Sequence, residues 1–155
     1  MIYNPQKAIE YAKIWWNKRN PKFYNFDNIG GNCTNFVSQC LFAGNIEMNQ
    51  KSWFYFSLSN RSPSWTGVNE FYDFCTNNNS NWGPKASVVS MYEVEVGDVV
   101  QICQNKDVFH HTLLIVDILG EKTLQNILIA CHTNDAINKR LSDFNIKKIR
   151  FLKIK

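Results

Sequence analysis

The spacing of apolar residues along the chain predicts helices in its first half and strands in its second half. In three segments before Gly83-Pro84, apolar side chains recur every three or four residues, which is the period of an amphipathic helix, and the segments between them are irregular. After this point they alternate with polar side chains or form short apolar runs, as in β-strands. This order predicts an α+β fold in which N-terminal helices pack on a C-terminal antiparallel β-sheet.

Two helices are predicted in the first 44 residues. Asn4-Pro5 combines an N-cap residue with proline at the first helical position, so the first helix should begin there. It should end near Arg19-Asn20, because Pro21 disfavours helical backbone in the residue before it. The second helix should extend from Cys33 to Ala43, with Gly44 as its stop.

One more helix and four strands are predicted downstream. The helix should begin at Thr66 and end in the polar segment Asn77–Ser80. The strands should cover Val96–Cys103, His111–Leu119, Asn126–His132 and Lys148–Lys155. The middle two should pair as neighbours, since Gly120 lies in the turn between them. With 155 residues, no internal repeat and no linker, the chain is expected to form a single domain over residues 1–155.

Composition and charge narrow the class of partner. The net charge is only +4, and the basic residues near the C-terminus alternate with apolar ones, which indicates a strand with a basic solvent face. We therefore expect no nucleic-acid partner. We also expect the protein to be a monomer. Residues 1–12 hold no apolar run of signal-peptide type, and no segment is long enough to span a bilayer. We expect synthesis in the cytoplasm without membrane insertion.

The five cysteines do not suggest a disulfide framework. Their number is odd and none has CxxC spacing. Cys40, Cys75, Cys103 and Cys131 lie in apolar segments, which is typical of reduced and buried thiols. Cys33 differs from these four because it directly follows a polar turn.

Cys33 is the candidate nucleophile. Gly30-Gly31 breaks the chain and Cys33 then opens the second predicted helix. The positive end of a helix dipole favours a thiolate over a thiol. A cysteine in this position, joined by a histidine from elsewhere in the fold, is the usual arrangement for cysteine catalysis. The alternative is a buried cysteine behind an ordinary glycine turn.

His111 is the candidate acid and base. It begins a predicted strand, and a strand end can meet the N-terminus of a helix packed across the sheet. Adjacent strand residues point to opposite faces, so we expect His110 to be a surface histidine. A third polar group should orient the ring of His111, with His132 as the first candidate and Asn134 or Asp135 as alternatives.

Metal chemistry is not indicated. Two adjacent histidines on a strand are poorly placed to bind one ion, and tight pairs such as CxxC or HxxxH are absent. We therefore expect no metal and no cofactor.

Attack of a cysteine on an amide carbonyl produces an oxyanion that needs hydrogen-bond donors. The Cys33 N–H and the Asn32 side chain are candidates for this role.

Nine blocks of the sequence together resemble one family. They are Tyr3-Asn4, Tyr11-Ala12, Trp15-Trp16-Asn17, Phe26-Asp27-Asn28, Gly31–Leu41, Ser64-Trp65-Thr66, Val96–Val100, His111-Thr112 and His132-Thr133. On the basis of these blocks, nearly the whole chain resembles the putative amidase domain family. This family is related to the papain-like cell-wall hydrolases of CHAP and NlpC type. The resemblance implies a papain-like fold.

The same resemblance implies roles for individual residues. It makes Cys33 the nucleophile and His111 its partner. His132 matches the third position of NlpC-type relatives, whereas CHAP-type relatives have a carboxylate or amide there. Tyr24 is the nearest match to the upstream tyrosine that stabilises the oxyanion in NlpC-type relatives.

Two further residues lie in the matching blocks. Trp65 is expected to line a substrate groove. Asn32 replaces an aspartate that many family members have, and we expect this change to affect hydrogen bonding in the loop rather than the nucleophile.

The predicted function is cleavage of an amide bond in bacterial peptidoglycan. The bond is either the link between N-acetylmuramic acid and L-alanine or a peptide bond in the stem or cross-bridge. One alternative is a non-catalytic wall-binding module, and another is a cysteine peptidase or toxin that acts on a different amide. A protein made in the cytoplasm would reach the wall after release, by injection or as part of a larger exported protein.

Overall fold

The computed structural model of the protein describes residues 2–155. The helices are α1 (Pro5–Trp15), α2 (Cys33–Ala43), α3 (Pro63–Thr66) and α4 (Val68–Asn77). The strands are β1 (Tyr55–Ser57), β2 (Asn60–Arg61), β3 (Ala86–Val89), β4 (Val99–Cys103), β5 (His111–Ile118), β6 (Ile127–Cys131), β7 (Ala136–Arg140) and β8 (Lys148–Ile154). The prediction of an α+β fold is confirmed.

The strands form one small hairpin and one large sheet. Strands β1 and β2 make the hairpin, and the other six pair in the order β3-β8-β4-β5-β6-β7. Every neighbouring pair is antiparallel. The predicted pairing of β5 with β6 is confirmed, and Gly120 lies in their connection with a φ of 124°.

The sheet separates two hydrophobic clusters, because alternate residues of a strand point to opposite faces. On β5, Leu114 and Val116 belong to the cluster beneath the helices. Leu113 and Ile115 belong to the cluster on the other face. Each such side chain contributes about 2 kcal/mol on burial. Helix α2 packs on β5 and β6, as predicted for helices over the sheet.

The predicted bounds of α2 are confirmed, whereas those of α1 are partly wrong. Asn4 caps α1 by accepting a hydrogen bond from the Lys7 N–H at 3.1 Å, as predicted. However, α1 ends at Trp15 and not near Arg19-Asn20. The chain turns there, with Lys18 N–H donating to the Trp15 carbonyl at 3.3 Å.

The third predicted helix is divided in two. Gly67 has extended backbone angles between α3 and α4, so the helix that was expected to begin at Thr66 begins at Val68. Strand β7 was not predicted, because its sequence is largely polar. All five cysteines are free and buried, which confirms the expectation for the four in apolar segments. No helix within residues 2–155 is both long and apolar enough to cross a membrane.

Candidate active site

Cys33 is the first residue of α2, and two glycines bring the chain to it. Gly30 and Gly31 have φ angles of 81° and 96°, in the left-handed region that favours glycine. A Cβ atom on Gly31 would lie 3.5 Å from the Thr133 hydroxyl. The loop after β6 therefore covers the turn that precedes Cys33.

The Cys33 thiol lies against the main chain at the start of β5. Its Sγ atom is 3.9 Å from the His110 carbonyl oxygen and 3.8 Å from the Thr34 hydroxyl. Cys33 is only 7% exposed. Burial raises the pKa of the thiol above its ordinary value, and N–H groups of Thr112 and Thr34 together with the Thr34 hydroxyl oppose this. The helix position therefore does not by itself produce a resting thiolate.

His111 begins β5, one peptide bond from the carbonyl that Cys33 Sγ contacts. Its Nδ1 atom is buried and has no hydrogen-bond partner in the described part of the chain. Burial lowers its pKa to about 4, with additional repulsion from His110 and Lys139. His111 is thus neutral at pH 7 and can accept a proton. No hydrogen bond joins it to Cys33 within residues 2–155.

A cavity of about 130 Å³ opens beside His111. Its lining consists of Gln104, His110, His111, Thr133, Asn134, Lys139 and Phe144. The Phe144 ring meets His111 nearly edge-on, with centroids 6.1 Å apart. Lys139 Nζ lies 4.2 Å from the centroid of the same ring. The cavity therefore combines a proton acceptor, an aromatic wall and a cation.

His110 is half-buried and not the free surface residue that alternation suggested. Its Nε2 accepts a hydrogen bond from the Gln104 N–H at 3.0 Å. Its ring is nearly parallel to that of His111, at a centroid distance of 6.5 Å. His110 thus shapes the cavity wall beside His111.

His132 does not orient His111, which corrects the role first expected for it. Its Nδ1 accepts from Asn32 Nδ2 at 2.7 Å, and its Nε2 donates to the Trp15 carbonyl oxygen at 2.8 Å. The ring also stacks on Phe36 at 4.0 Å. With both nitrogens occupied, His132 has none left for His111. The early end of α1 leaves the Trp15 carbonyl without a donor from the following helical turn, so this oxygen accepts from Lys18 N–H and from His132.

Asn32 also has a different position from that expected of an oxyanion donor. It is 1% exposed. Its Oδ1 accepts from the Phe26 N–H and from Asn35 Nδ2, both at 2.9 Å. Its Nδ2 donates to His132. The amide therefore ties together the loop before Cys33, in line with the expectation that the Asn32 replacement affects loop hydrogen bonding.

Trp65 does not line a groove. It is completely buried, packed on Trp53 at a centroid distance of 4.5 Å, and its Nε1 donates to Asn35 Oδ1 at 2.9 Å. A side chain without accessible surface cannot contact a substrate. The prediction from the matching block was wrong because the block reflects packing against α2.

Tyr24 is 41% exposed but is not among the residues that line the cavity at His111. Its N–H donates to the Tyr55 hydroxyl at 2.7 Å, and its carbonyl accepts from Asn35 Nδ2 at 3.0 Å. Its ring lies against Phe26. These contacts give Tyr24 a packing role in the loop.

Asn134 and Asp135, the alternative candidates for orienting His111, lie in different places. Asn134 lies on the cavity beside His111, with a left-handed φ of 55°. Asp135 pairs with Arg19 at 2.9 Å, and the same guanidinium pairs with Asp27 at 3.1 Å. Arg19 thus joins the loop before the nucleophile to the loop after β6, on which Asn134 lies.

Sequence reasoning missed several residues around the site. Thr34, Thr112, Lys139 and Phe144 were not singled out, since threonine, lysine and phenylalanine are common in strands and helix ends. Gln101 offered a signal, because it is a polar residue inside an apolar strand. No group of three or more His, Cys, Asp or Glu side chains within residues 2–155 is arranged to hold a metal ion.

Comparisons with known proteins identify one matching family and a relative in Bacillus subtilis. The model of the family described as "Putative amidase domain" matches residues 2–154. YhbB, an uncharacterised protein of Bacillus subtilis strain 168, is 38% identical over 122 residues. The match covers 74% of this chain and 37% of that relative, so the chain spans well under half of its length. No solved structure matches the chain significantly.

Proposed function

The chain belongs to this amidase-domain family, and on that premise we propose that it is a cysteine-dependent hydrolase that cleaves an amide bond of bacterial peptidoglycan. Amide hydrolysis is the chemistry that the family description carries. The cysteine mechanism, the wall substrate and the relation to papain-like CHAP and NlpC domains are our proposal. A helix-start cysteine beside a strand-start histidine, over an antiparallel sheet, supports that relation.

The observation that carries the mechanism is the buried and unpartnered Nδ1 of His111. Buried polar atoms almost always have a hydrogen-bond partner, so an exception needs an explanation. The adjacent peptide group contacts Cys33 Sγ. A nitrogen kept free to receive the thiol proton during catalysis explains the missing partner.

The reaction begins from a neutral pair. Because burial raises the pKa of Cys33 and lowers that of His111 to about 4, both groups are uncharged at pH 7. As Sγ attacks the amide carbon, the thiol proton passes to His111. The imidazolium then protonates the leaving amine, the carbon–nitrogen bond breaks, and a thioester on Cys33 remains. Water, deprotonated by His111, hydrolyses the thioester to a carboxylic acid and the free thiol.

The oxyanion is stabilised at the start of α2. The N–H groups in the first turn of a helix have no intrahelical acceptor, and the helix dipole is positive there. The Cys33 N–H is such a group and belongs to the nucleophile itself. Asn134 lines the cavity beside His111, and in this proposal its side chain contacts the ring or the substrate.

The proposed partner is the peptidoglycan stem or its junction with the glycan, and the proposed place of action is the cell wall. A modest net charge of +4 favours approach to an anionic wall. The match covers 37% of YhbB, so YhbB does not indicate how this chain reaches the wall. In our proposal the route is release, injection or export within a larger protein.

The test is digestion of purified Gram-positive peptidoglycan by the wild type and by Cys33→Ala. Turbidity follows solubilisation, and mass spectrometry of the new chain ends identifies the bond. We expect clearing by the wild type alone. A matched control is Cys131→Ala, which removes a buried thiol next to the site without removing the nucleophile. If soluble peptides are cleaved and the wall is not, the amidase mechanism stands and the wall substrate is wrong.

A further inference from the structure

Gln101 is a fully buried polar residue in the apolar strand β4. Its Nε2 donates to the Val68 carbonyl at 2.9 Å and to the Thr112 hydroxyl at 3.2 Å. Its Oε1 accepts from Arg150 Nε at 2.8 Å. A main-chain carbonyl only accepts and a guanidinium only donates, so both ends of the amide determine its orientation.

This orientation determines the direction of the next hydrogen bonds. Since the Thr112 hydroxyl accepts from Gln101, its own proton is available to the Thr34 hydroxyl at 2.8 Å. When the Thr34 oxygen accepts this hydrogen bond, its own hydroxyl hydrogen is free to donate to a different acceptor. Within residues 2–155, the Thr34 hydroxyl can donate to Cys33 Sγ, which lies 3.8 Å away.

The register of the sheet produces this row. Arg150 on β8 lies opposite Gln101 on β4, and Gln101 lies opposite Thr112 on β5. The three side chains therefore lie side by side across three strands, on the face toward the helices. Thr34, in the first turn of α2, continues the row to Cys33. Both threonine side chains are completely buried.

We propose that Arg150, Gln101, Thr112 and Thr34 form a one-way hydrogen-bond relay that delivers a hydroxyl donor to Cys33 Sγ and stabilises the thiolate that forms during attack. Thr34 contacts Sγ itself, and the other three are positioning residues that act through Thr34. The inference rests on the proposed role of Cys33 and adds the source of its stabilisation.

Arg150 is suited to be the charged end of the relay. Its guanidinium carbon lies 3.6 Å from the centroid of the Tyr72 ring and 4.0 Å from that of Phe109. Its Nη2 donates to Asn69 Oδ1 at 3.2 Å. No carboxylate within residues 2–155 forms a salt bridge with it, and Asp73 acts on its charge only from a greater distance. A cation without a salt-bridge partner polarises the chain of hydrogen bonds that begins at it.

The titratable groups around the two ends are few. Tyr72 and Asp73 of α4 act on Arg150, and burial lowers the pKa of its guanidinium. On the Cys33 side lie His110 just before β5, His111 of β5, Cys131 of β6 and Lys139 of β7. His111 is neutral at pH 7 because its pKa is about 4. At pH 7 the relay is thus a source of positive potential for Sγ, because its charged end is the Arg150 guanidinium.

The test measures the pKa of the Cys33 thiol without any substrate. The rate of iodoacetamide labelling of the Cys33 peptide is followed by mass spectrometry as a function of pH. In Thr34→Val we expect this pKa to rise by about one unit, which lowers the rate at pH 7 about tenfold, since a hydrogen bond to a charged group is lost. Thr34→Ser keeps the hydroxyl and should keep the wild-type pKa.

Arg150→Met tests the other end of the relay. Methionine keeps the contact with the two rings but removes the charge, and we expect a rise of about half a unit. Lys148→Met is the matched control, because Lys148 is an exposed cation two residues away on the same strand. It should leave the Cys33 pKa unchanged.

The outcomes separate the relay from the proposed function. An unchanged pKa in Thr34→Val overturns the relay, and an unchanged pKa in Arg150→Met overturns the role of the guanidinium. Labelling of Cys40 and Cys75 reports any loss of the fold, and if Thr34→Val unfolds, Arg150→Met decides. Because no substrate is used, failure to digest peptidoglycan does not affect this result.

Discussion

His132 donates a hydrogen bond to the Trp15 carbonyl oxygen at 2.8 Å, across 117 positions of sequence. This carbonyl lies at the end of α1, where it has no intrahelical donor from the next turn. The other ring nitrogen of His132 accepts from the Asn32 amide next to the nucleophile. One imidazole therefore connects the end of α1, the end of β6 and the loop before Cys33. His132 stabilises the loop that precedes Cys33 and makes no contact with the Cys33 thiol or the His111 ring.

Replacing His132 by alanine should cost about 3 kcal/mol of unfolding free energy. The change removes the hydrogen bond to the Trp15 carbonyl, leaves the buried Nδ2 of Asn32 without its acceptor and removes the stacking on Phe36. Urea denaturation followed by circular dichroism measures the loss. His110→Ala is the control, with an expected loss below about 1 kcal/mol. Equal losses in the two variants would contradict the central position of His132.

Stability should fall between pH 6.5 and pH 4. Burial lowers the pKa of both His111 and His132 to about 4, so the unfolded chain, with values near 6.5, binds more protons in this interval. Stability from these groups is fully present above pH 6.5 and is lost as the pH falls. At pH 5 the expected loss is about 2 kcal/mol for each histidine relative to pH 7.

Urea titrations at pH 7 and pH 5 measure this dependence. The drop should be smaller by about 2 kcal/mol in His111→Gln than in the wild type, since glutamine does not titrate. A wild-type protein that is equally stable at both pH values would show that neither histidine is buried in its neutral form.

The helix and strands nearest the site could be predicted because their patterns are local. Helix α2 and strand β5 follow from the spacing of apolar residues and from a glycine turn. The role of His132 could not be predicted, because its partner carbonyl depends on where α1 ends. That end is determined by contacts between distant segments.

The misplacement of Trp65 and the omission of Lys139 have similar causes. A tryptophan in an irregular segment can face either a groove or the core, and only the packing on Trp53 decides. Lys139 lies on β7, a largely polar edge strand whose register includes Asn138 at a φ of 53°. Neither environment is visible in the sequence near the residue.

Arg19 should stabilise the two loops around the cavity together. Arg19→Gln leaves Asp27 and Asp135 without their shared cation, and we expect a loss of about 1–2 kcal/mol in urea denaturation. Lys147→Gln breaks an exposed pair with Asp107 and should cost less than about 0.5 kcal/mol. If both variants lose the same amount, Arg19 does not clamp the loops.

Lys139 should hold the pKa of His111 down. Repulsion from the lysine is one of the causes that lower this pKa to about 4, after burial and His110. In Lys139→Met we expect it to rise by about half a unit. The chemical shift of the His111 ring proton during an NMR pH titration reports the change, and Lys148→Met should not alter it. A fall in the Lys139→Met variant would reverse the sign of the interaction and contradict the geometry.

The central claim is that Cys33 forms a thioester with the acyl part of the cleaved amide. The direct test is to mix the protein with soluble peptidoglycan fragments, quench with acid within one turnover, and map adducts by mass spectrometry. The account predicts an adduct on the Cys33 peptide that neutral hydroxylamine removes. It also predicts that Cys33→Ala gives neither adduct nor product. Product release that continues in Cys33→Ala would contradict the account.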